Sequence, residues 1–446
     1  MEQPSAQAPA AAPANRILVK GLITGGLILL MYIPTLFIQN LIKEREGRQK
    51  EVVKEVSSKW ATAQTLSGPF LSIPYTTTGV NSDGKAMIII KQVIISAEKL
   101  TVTGKIIPEE RPRSIYKVLL YRTALDFSGN FKASFPAGFN QAGMDMANAK
   151  LCFSLSDFKG IEEEVIVNFS GQKLLLNPGL PVNVFGDGGL SVPVTADFAS
   201  LTAGISFDMH LKIKGSEQLH FIPMSMNSKY VLSSPWPNPS FDGNTLPTER
   251  TVTKTGFVSQ WNFNRANLPF SSVAEESSFL KIADIAFGVS LMQPADQYNK
   301  TTRSVKYSIL IIGLSFALFF IIELMQKKPF HAVQYVLVGL ALIIFYTLLL
   351  SISEFVLFDY AYFIAAAATI LLITLYAKSH FKSGRTAAIF GTSLSTLYGF
   401  IFVLIRLEDT ALLVGSIGLF IILALIMYVS RKINWYGNVL PEHQEI

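Results

Sequence analysis

Hydrophobic positions dominate the C-terminal third of the chain, where five long apolar runs follow one another with only short polar joints between them. Each run has about 17–20 residues, the length an α-helix needs to cross the hydrocarbon core of a bilayer. Because a backbone in lipid must satisfy its own hydrogen bonds, we expect five membrane-spanning helices. Their bounds are 307–324, 333–352, 360–377, 387–405 and 411–429. Five such runs with charged joints are not typical of the core helices of a water-soluble protein.

A sixth apolar run lies near the N-terminus, behind a short polar tail. Residues 1–15 are rich in Ala, Pro and Gln, so we expect a disordered tail. Arg16 and Lys20 then introduce a run that predicts a first membrane helix over 16–42. A cleaved signal peptide is the alternative interpretation. The run is long for one, and residues 39–43 offer no small-residue cleavage site, so we expect an uncleaved helix.

Basic residues occupy every second joint between the predicted membrane helices. If Arg16 and Lys20 lie in the cytoplasm, six alternating helices also place there Lys327, Lys328, Lys378, Lys382, Arg385, Arg431 and Lys432. The opposite joints hold Arg406 beside the acidic residues Glu354, Asp359, Glu408 and Asp409. This is the positive-inside bias, and it predicts a multi-pass membrane protein with six spans and both termini cytoplasmic. Residues 304–432 would form a five-helix domain and 433–446 a C-terminal tail.

The segment between the first two predicted membrane helices has a different pattern. Residues 43–59 are charged with apolar positions at helical spacing, so the first helix should extend as a stalk until Gly68 and Pro69 stop it. Beyond it, short β-branched and aromatic runs alternate with turn residues. They predict strands over 70–74, 87–96, 100–107, 116–127, 151–155, 165–169, 173–176, 206–213 and 230–233. We expect an α+β membrane protein whose residues 43–303 form a large, β-rich, sandwich-like periplasmic domain inserted between helices 1 and 2.

Composition agrees with a membrane protein that has a substantial soluble part. The 446 residues are 50% hydrophobic and 16% charged, and the mean hydropathy is +0.37. The net charge of +6 does not indicate nucleic-acid binding, because the basic residues lie at membrane edges rather than on one polar face. Cys152 is the only cysteine, which excludes an internal disulfide and a thiolate metal site.

Catalytic and ligand-binding motifs are missing from the sequence. The five histidines show no paired ligand spacing, and His210 and His220 are interpreted as surface or core imidazoles rather than metal ligands. Residues 186–189 are rich in glycine, but their β context indicates a hairpin turn rather than a phosphate-binding loop. We therefore predict no catalytic, cofactor or metal site and a function that is not enzymatic.

Charged side chains at the ends of the predicted membrane helices are the residues of most interest. We select as candidates for structural or coupling roles Glu323, Glu354, Asp359, Arg406, Glu408, Asp409 and Lys306. Glu323 precedes Lys327 and Lys328 by one helical turn, which predicts a local ion pair at the lipid headgroups. The spans themselves carry no ionisable residue near their middle, whereas proton-coupled transporters usually need one.

The two joints on the other side of the membrane bring further charges together. We hypothesise that Arg406 or Lys306 pairs with Glu354 and Asp359, because charges near lipid are costly unless they are paired or hydrated. Such pairs would tie the helices to the base of the β-rich domain. The alternative is that these are independent, solvated loop charges.

Ordered sequence motifs run through both the β-rich segment and the membrane segment. The former holds LSGPFLSIP (66–74), WPNPSF (236–241) and GFVSQW (256–261); the latter holds PADQY (294–298), RSVKY (303–307), HAVQYVLVG (331–339), LEDTALL (407–413) and RKINWY (431–436). From about Arg16 onward the chain resembles the CreD family of inner-membrane proteins, also described as cell-envelope integrity proteins. Family members usually have proline after His331, where this chain has Ala332.

The resemblance implies a link to envelope stress, to a two-component regulatory system and to tolerance of β-lactams and colicins, and it implies no catalytic or binding residue. We expect the periplasmic domain to sense or bind an envelope component or a membrane-protein partner, with the lipid bilayer as surroundings; the sequence does not indicate an oligomeric state. One alternative is a transporter of a lipid or envelope precursor with a polar track at Thr392, Ser393, Ser395 and Thr396. Hydrogen bonds from these hydroxyls to their own helix are the commoner arrangement. Another is an envelope hydrolase, which needs carboxylates or histidines clustered in a cleft.

Overall fold

In the computed structural model the chain forms two units. The helical unit comprises Met1–Arg48 and Ala295–Ile446, and the β unit comprises Gln49–Pro294. The structure describes residues 13–80, 86–135, 139, 141–182, 184–185, 188–291, 297–326, 329–407 and 410–431. This arrangement confirms the predicted insertion of a large β-rich domain between the first two membrane helices.

Eight α-helices are present in the described part of the chain. They are α1 (Pro13–Trp60), α2 (Phe198–Ala203), α3 (Gln297–Lys306), α4 (Ser308–Gln326), α5 (Ala332–Ser353), α6 (Phe358–Phe381), α7 (Gly384–Arg406) and α8 (Ala411–Ser430). Six of them, α1 and α4–α8, are long and apolar enough to cross a membrane, as predicted. Since α1 begins at Pro13, the last residues of the predicted tail are helical.

The stalk prediction was right about the helix and wrong about its end. Helix α1 runs without interruption to Trp60, and the chain becomes a strand four residues later. Gly68 and Pro69 lie inside that strand, at the irregularity where its pairing with a neighbour shifts between Ser67 and Phe70. Gly68 has φ of 117°, and a Cβ there would approach the Cys152 carbonyl oxygen at 3.1 Å, so the position favours glycine.

The Trp60 side chain is surrounded by cations within the β unit. Its ring lies 4.1 Å from the Arg111 guanidinium carbon, 4.9 Å from that of Arg122 and 4.6 Å from the Lys214 ammonium. Arg122 also pairs with Glu162 at 2.8 Å. Cations placed over an indole face are attracted by its quadrupole, so the end of α1 is attached to the β unit by several partners.

Sixteen strands are described in the β unit. They are β1 (Gln64–Val80), β2 (Ala86–Arg113), β3 (Tyr116–Phe131), β4 (Lys150–Leu155), β5 (Ile166–Phe169), β6 (Gln172–Leu175), β7 (Asn177–Pro178), β8 (Gly189–Pro193), β9 (Ile205–Ser216), β10 (Gln218–Ile222), β11 (Ser225–Ser234), β12 (Pro239–Gly243), β13 (Glu249–Thr253), β14 (Gly256–Phe263), β15 (Val273–Glu275) and β16 (Phe287–Leu291). The predicted strands 87–96 and 100–107 are one strand, β2. Strands β7, β8, β10 and β12–β16 were not predicted, and the predicted turn at 186–189 lies partly outside the described residues.

The strands form two sheets that share β2. Sheet A has the order β12-β16-β10-β1-β4-β8-β7. The N-terminal half of β2 also belongs to sheet A: it pairs with β1 as far as Ser96, and β15 pairs with β2 on its other side. Sheet B has the order β13-β14-β11-β2-β3-β9-β5-β6, in which β2 pairs with β3 from Lys99 onward. The polar interruption in the β2 sequence therefore marks the point where one strand changes sheets.

Aromatic residues fill the space between the two sheets. Phe153 of sheet A meets Phe127 of sheet B with ring centroids 5.3 Å apart, and Phe221 meets Tyr230 at the same separation. Strand β9 alternates between buried and exposed residues, as a strand covered on one face does. The β unit is thus a sandwich of two sheets, as predicted.

Sheet A is buried on its other face as well. Phe70, Ile94 and Cys152 point away from the central core and pack with Phe279 and Ile282 of the segment that precedes β16. Their neighbours in sequence belong to the central core. A sheet covered on both faces loses polar alternation, which is why β4 reads as an almost continuous apolar run.

The thiol of Cys152 should be unreactive in the folded protein. Burial raises the pKa of this thiol to about 12, so at pH 8 its thiolate fraction is roughly 1 in 10⁴. We expect maleimide to modify it at least about 100-fold more slowly than Leu280→Cys in a Cys152→Ala chain, because Leu280 is 75% exposed. The rate should rise with pH, since only the thiolate attacks, and full modification should follow unfolding in detergent. Equal rates for the two thiols would show that Cys152 is open to solvent.

Candidate functional site

Glu323, near the end of α4, is the only carboxylate among the buried residues described. Its carboxylate forms an ion pair with the Lys20 ammonium of α1. It also accepts hydrogen bonds from the Phe330 backbone N–H at 2.9 Å and from the Tyr335 hydroxyl at 3.0 Å. We call Glu323, Lys20, Phe330 and Tyr335 the Glu323 cluster. Three donors from three parts of the helical unit thus satisfy one carboxylate.

Polar and aromatic side chains surround this cluster at the start of α5. The Phe330 ring contacts Tyr335 and His380, with centroids 5.5 and 4.2 Å apart. His331 caps α5: its Nδ1 accepts from the Val333 N–H at 3.3 Å. The Gln334 amide in turn contacts His380 Nδ1 at 3.0 Å. Side-chain hydrogen bonds therefore fix the start of α5 and link it to the end of α6. Ala332, where family members usually have proline, is the first residue of α5.

The cation found on Glu323 among the described residues is Lys20, 303 positions away in sequence. The predicted partners Lys327 and Lys328 lie outside the described residues, so that pairing stays a prediction. A sequence signal for this pair did exist, because Lys20 and Glu323 fall at the same side of the membrane in the predicted topology. Which helices are neighbours is a tertiary property, so the pair itself was missed.

Charged residues also gather at the opposite end of α5. Glu354, which caps α5 and is only 12% exposed in its side chain, lies 3.9 Å from Arg45 Nε of α1. It accepts a hydrogen bond from the Tyr298 hydroxyl of α3 at 3.3 Å. We call this group the Glu354 cluster. Glu354 therefore joins α1, α3 and α5, and Arg406 is not its partner.

Arg406 forms an ion pair with Asp359, across the ends of α7 and α6. Arg303 of α3 donates to the backbone carbonyl oxygens of Leu404, at 3.3 Å, and Leu407. A guanidinium at the C-terminus of a helix satisfies carbonyls that have no partner in the helix and complements the helix dipole. Lys306 is exposed, and Glu408 and Asp409 lie outside the described residues. The hypothesis thus named the right partner for Asp359 and the wrong one for Glu354.

The predicted polar track of α7 is divided between two grooves of the helical unit. Thr392, Ser393 and Thr396 line a groove of about 430 Å³ between α4, α7 and α8. Ser395 lies in a different groove, of about 570 Å³, between α6 and α7. The Thr396 hydroxyl donates to the Thr392 carbonyl oxygen of its own helix at 3.0 Å, the commoner arrangement for such residues.

The histidines of the β unit each contact an aspartate. His220 Nε2 lies 2.6 Å from Asp242 Oδ1, and Ser290 donates to the other oxygen of that carboxylate at 2.6 Å. Gly288, between them on β16, makes room, since a Cβ there would come within 2.6 Å of the His220 ring. His210 Nδ1 lies 2.6 Å from Asp126 on the exposed surface. Within the described residues, no group of three or more such side chains could hold a metal ion.

Removing the Lys20 charge should destabilise the helical unit by leaving Glu323 buried without its cation. We expect Lys20→Met to cost about 1–3 kcal/mol, less than a fully buried pair because the Lys20 side chain is 42% exposed. Lys20→Met combined with Glu323→Gln should recover most of this loss, measured by unfolding of the full chain in mixed micelles. Lys43→Met, at an exposed position of the same helix, is the control. A double variant no more stable than Lys20→Met alone would mean that the charges do not interact.

Exchanging the charges of Arg406 and Asp359 should preserve their pair. Arg406→Glu alone should lower stability by about 0.5–1 kcal/mol, since both side chains are partly exposed, and Asp359→Arg should restore it. The matched control combines Arg406→Glu with Glu354→Arg, which leaves two acidic groups adjacent and should not restore stability. Unfolding in micelles and protein level in membranes are the measurements. Equal recovery by both combinations would contradict the assigned pairing.

Comparisons with known proteins agree with this architecture. The profile of the family described as "Inner membrane protein CreD" matches residues 16–436. The inner membrane protein CreD of Escherichia coli (strain K12) is 31% identical over 425 residues, which cover 94% of this chain and 93% of the relative. A solved M1 zinc metallopeptidase from Deinococcus radiodurans aligns with 48% of this chain and 53% of its own, but its 6% identity and TM-score of 0.18 support no inference. The family profile and the 31% identical relative both match nearly the whole chain. This chain therefore belongs to the CreD family of inner membrane proteins.

Proposed function

We propose that the protein supports the integrity of the cell envelope as a non-enzymatic membrane anchor for a binding domain. The helical unit lies in the inner membrane with both termini in the cytoplasm, and the β unit lies in the periplasm. There the β unit binds an envelope component or a partner protein. The positive-inside pattern supports this orientation: Lys378, Lys382 and Arg385 lie at one joint, whereas Glu354 and Asp359 flank another.

The Glu323 cluster is the observation that carries this proposal. A proton-coupled transporter needs a carboxylate that exchanges protons with water on each side of the membrane. The Glu323 carboxylate is instead occupied by an ammonium, a backbone N–H and a hydroxyl of the protein, and its side chain is 5% exposed. A charge held in this way fastens α1 to α4 and α5, which is what an anchor requires.

Transport of a lipid or envelope precursor is the second candidate. The observation in its favour is the groove between α4, α7 and α8, where hydroxyls of Thr392 and Ser393 face mainly apolar side chains. A lipid tail fits such a lining, and a hydroxyl offers a hydrogen bond to its polar group. Proton-coupled transport needs a carboxylate at position 323 that exchanges protons, whereas anchoring needs only the fold. A single variant of Glu323 therefore distinguishes the two candidates.

Cells that lack this chain should be more sensitive to a β-lactam and to detergent, and the wild-type chain should restore survival. Glu323→Gln should restore it equally when its membrane level matches wild type, because an anchor needs the fold and not a titrating carboxylate. Loss of survival at a matched level would support proton-coupled transport instead. Unchanged sensitivity of cells without the chain would overturn the envelope role.

The same cells test the orientation. In a Cys152→Ala chain, Leu280→Cys should react with a membrane-impermeant maleimide once the outer membrane is made permeable. Arg385→Cys, an exposed residue at the joint between α6 and α7, is the control and should react only after the inner membrane is broken. The reverse order of labelling would place the β unit in the cytoplasm.

A further inference from the structure

Helix α8 lies against α7 in its first half and borders a groove in its second half. The helix is described throughout, and none of its residues is buried. In the first half a Cβ on Gly418 would overlap the Phe400 ring, so α8 and α7 are in contact there. The groove is the one of about 430 Å³ between α4, α7 and α8, which we call the α8 groove. The residues of α8 that line it are Ile422, Leu425, Ile426 and Val429.

The walls of the α8 groove consist mainly of hydrocarbon side chains. Helix α4 contributes Leu314, Leu318 and Ile321, which lie on one helix face. All three helices around the groove are long and apolar enough to cross a membrane, so the groove lies at the depth of the bilayer core. An empty groove there would lose dispersion contacts on one side, and the hydrocarbon core offers no water to fill it. A lipid hydrocarbon chain is therefore the occupant that the surroundings supply.

The floor of the α8 groove continues along α7 to a cation at the helix end. Thr392 and Thr396 lie on this floor and are exposed, so the groove is open to the protein surface. Ile389 and Arg385 precede Thr392 by three and seven residues, which places them on the same face of α7. Both are exposed as well. Arg385 thus lies about 10 Å from Thr392 along the helix axis, beyond the end of the groove.

Positive charge is concentrated at this end of α7. Lys378 and Lys382, at the end of α6, are exposed like Arg385. No described carboxylate lies within ion-pair distance of these three side chains. The first turn of α7 adds the positive end of its helix dipole, which Ser383 caps through the Thr386 N–H. Basic side chains beside an apolar groove between membrane helices are complementary to an anionic lipid headgroup.

We propose that the α8 groove binds one acyl chain of an anionic phospholipid whose phosphate lies against Arg385. The chain covers the apolar walls, and the phosphate offers the Arg385 guanidinium a charged acceptor. Such a lipid links the second half of α8 to α4 and is a fixed part of the helical unit rather than a transported substrate. In the orientation proposed above it belongs to the cytoplasmic leaflet, but its binding does not depend on that orientation.

Binding of defined lipids to the purified full chain tests the headgroup contact. We expect native mass spectrometry from mild detergent to show phosphatidylglycerol bound at least about fivefold more tightly than phosphatidylcholine, which has no net charge. Arg385→Gln should remove this preference and leave phosphatidylcholine binding unchanged. Arg431→Gln is the matched control and should keep the preference. Arg431 is an exposed cation at the same end of the bundle, but it follows Ile422 by nine residues, about two and a half turns, and so lies on the other face of α8.

A photoactivatable lipid tests the groove itself. Phosphatidylglycerol with a diazirine in one acyl chain should crosslink, in vesicles, to the groove residues of α4 and α8. Ala317→Phe should lower this crosslinking at least about fivefold, because the ring then occupies the space of the chain. Ala367→Phe makes the same change in the groove between α6 and α7 and should leave the crosslinking to α4 and α8 unchanged.

Equal affinity of the wild-type chain for the two lipids, or an equal loss of preference in Arg385→Gln and Arg431→Gln, would overturn the headgroup contact. Unchanged crosslinking in Ala317→Phe, or crosslinks that map to α6 alone, would overturn the assignment of the groove. A protein segment crosslinked in the groove in place of lipid would do the same. All of these measurements use the purified chain, so their outcome is independent of whether cells that lack it become sensitive to a β-lactam.

Discussion

A charge that leaves water must find its partner inside the protein, and the helical unit depends on this constraint. Glu323 is buried, and its carboxylate is surrounded by the Lys20 ammonium, the Phe330 N–H and the Tyr335 hydroxyl. The same requirement acts at the other end of α5, where Arg45 and Tyr298 approach Glu354. Each group of partners includes a residue of α1, so satisfying the charges also assembles the helices.

The β unit is held together by a different constraint, the need to pair strands within each sheet and to cover their apolar faces. Two long strands provide much of this pairing. Strands β1 and β2 each pair with more than one neighbour, and β2 passes from one sheet to the other. The second core on the outer face of sheet A removes Cys152 from water.

The two units therefore rely on different interactions. In the helical unit, charged side chains hold helix ends together, as Arg303 on the carbonyl oxygens of Leu404 and Leu407 illustrates. In the β unit, backbone ladders and apolar packing between the sheets carry the structure.

The sequence by itself determined the six membrane helices, the inserted sandwich and the family, because hydrophobic length, strand alternation and ordered motifs are local properties. It also named Asp359 and Arg406, whose joints the topology brings to one side. It missed Lys20 and Arg45 as partners of Glu323 and Glu354, and it missed β7, β8, β10 and β12–β16. These depend on which helices lie side by side and which strands pair, and such contacts join residues far apart in the chain. Only the tertiary structure decides them, since many pairings satisfy the same local pattern.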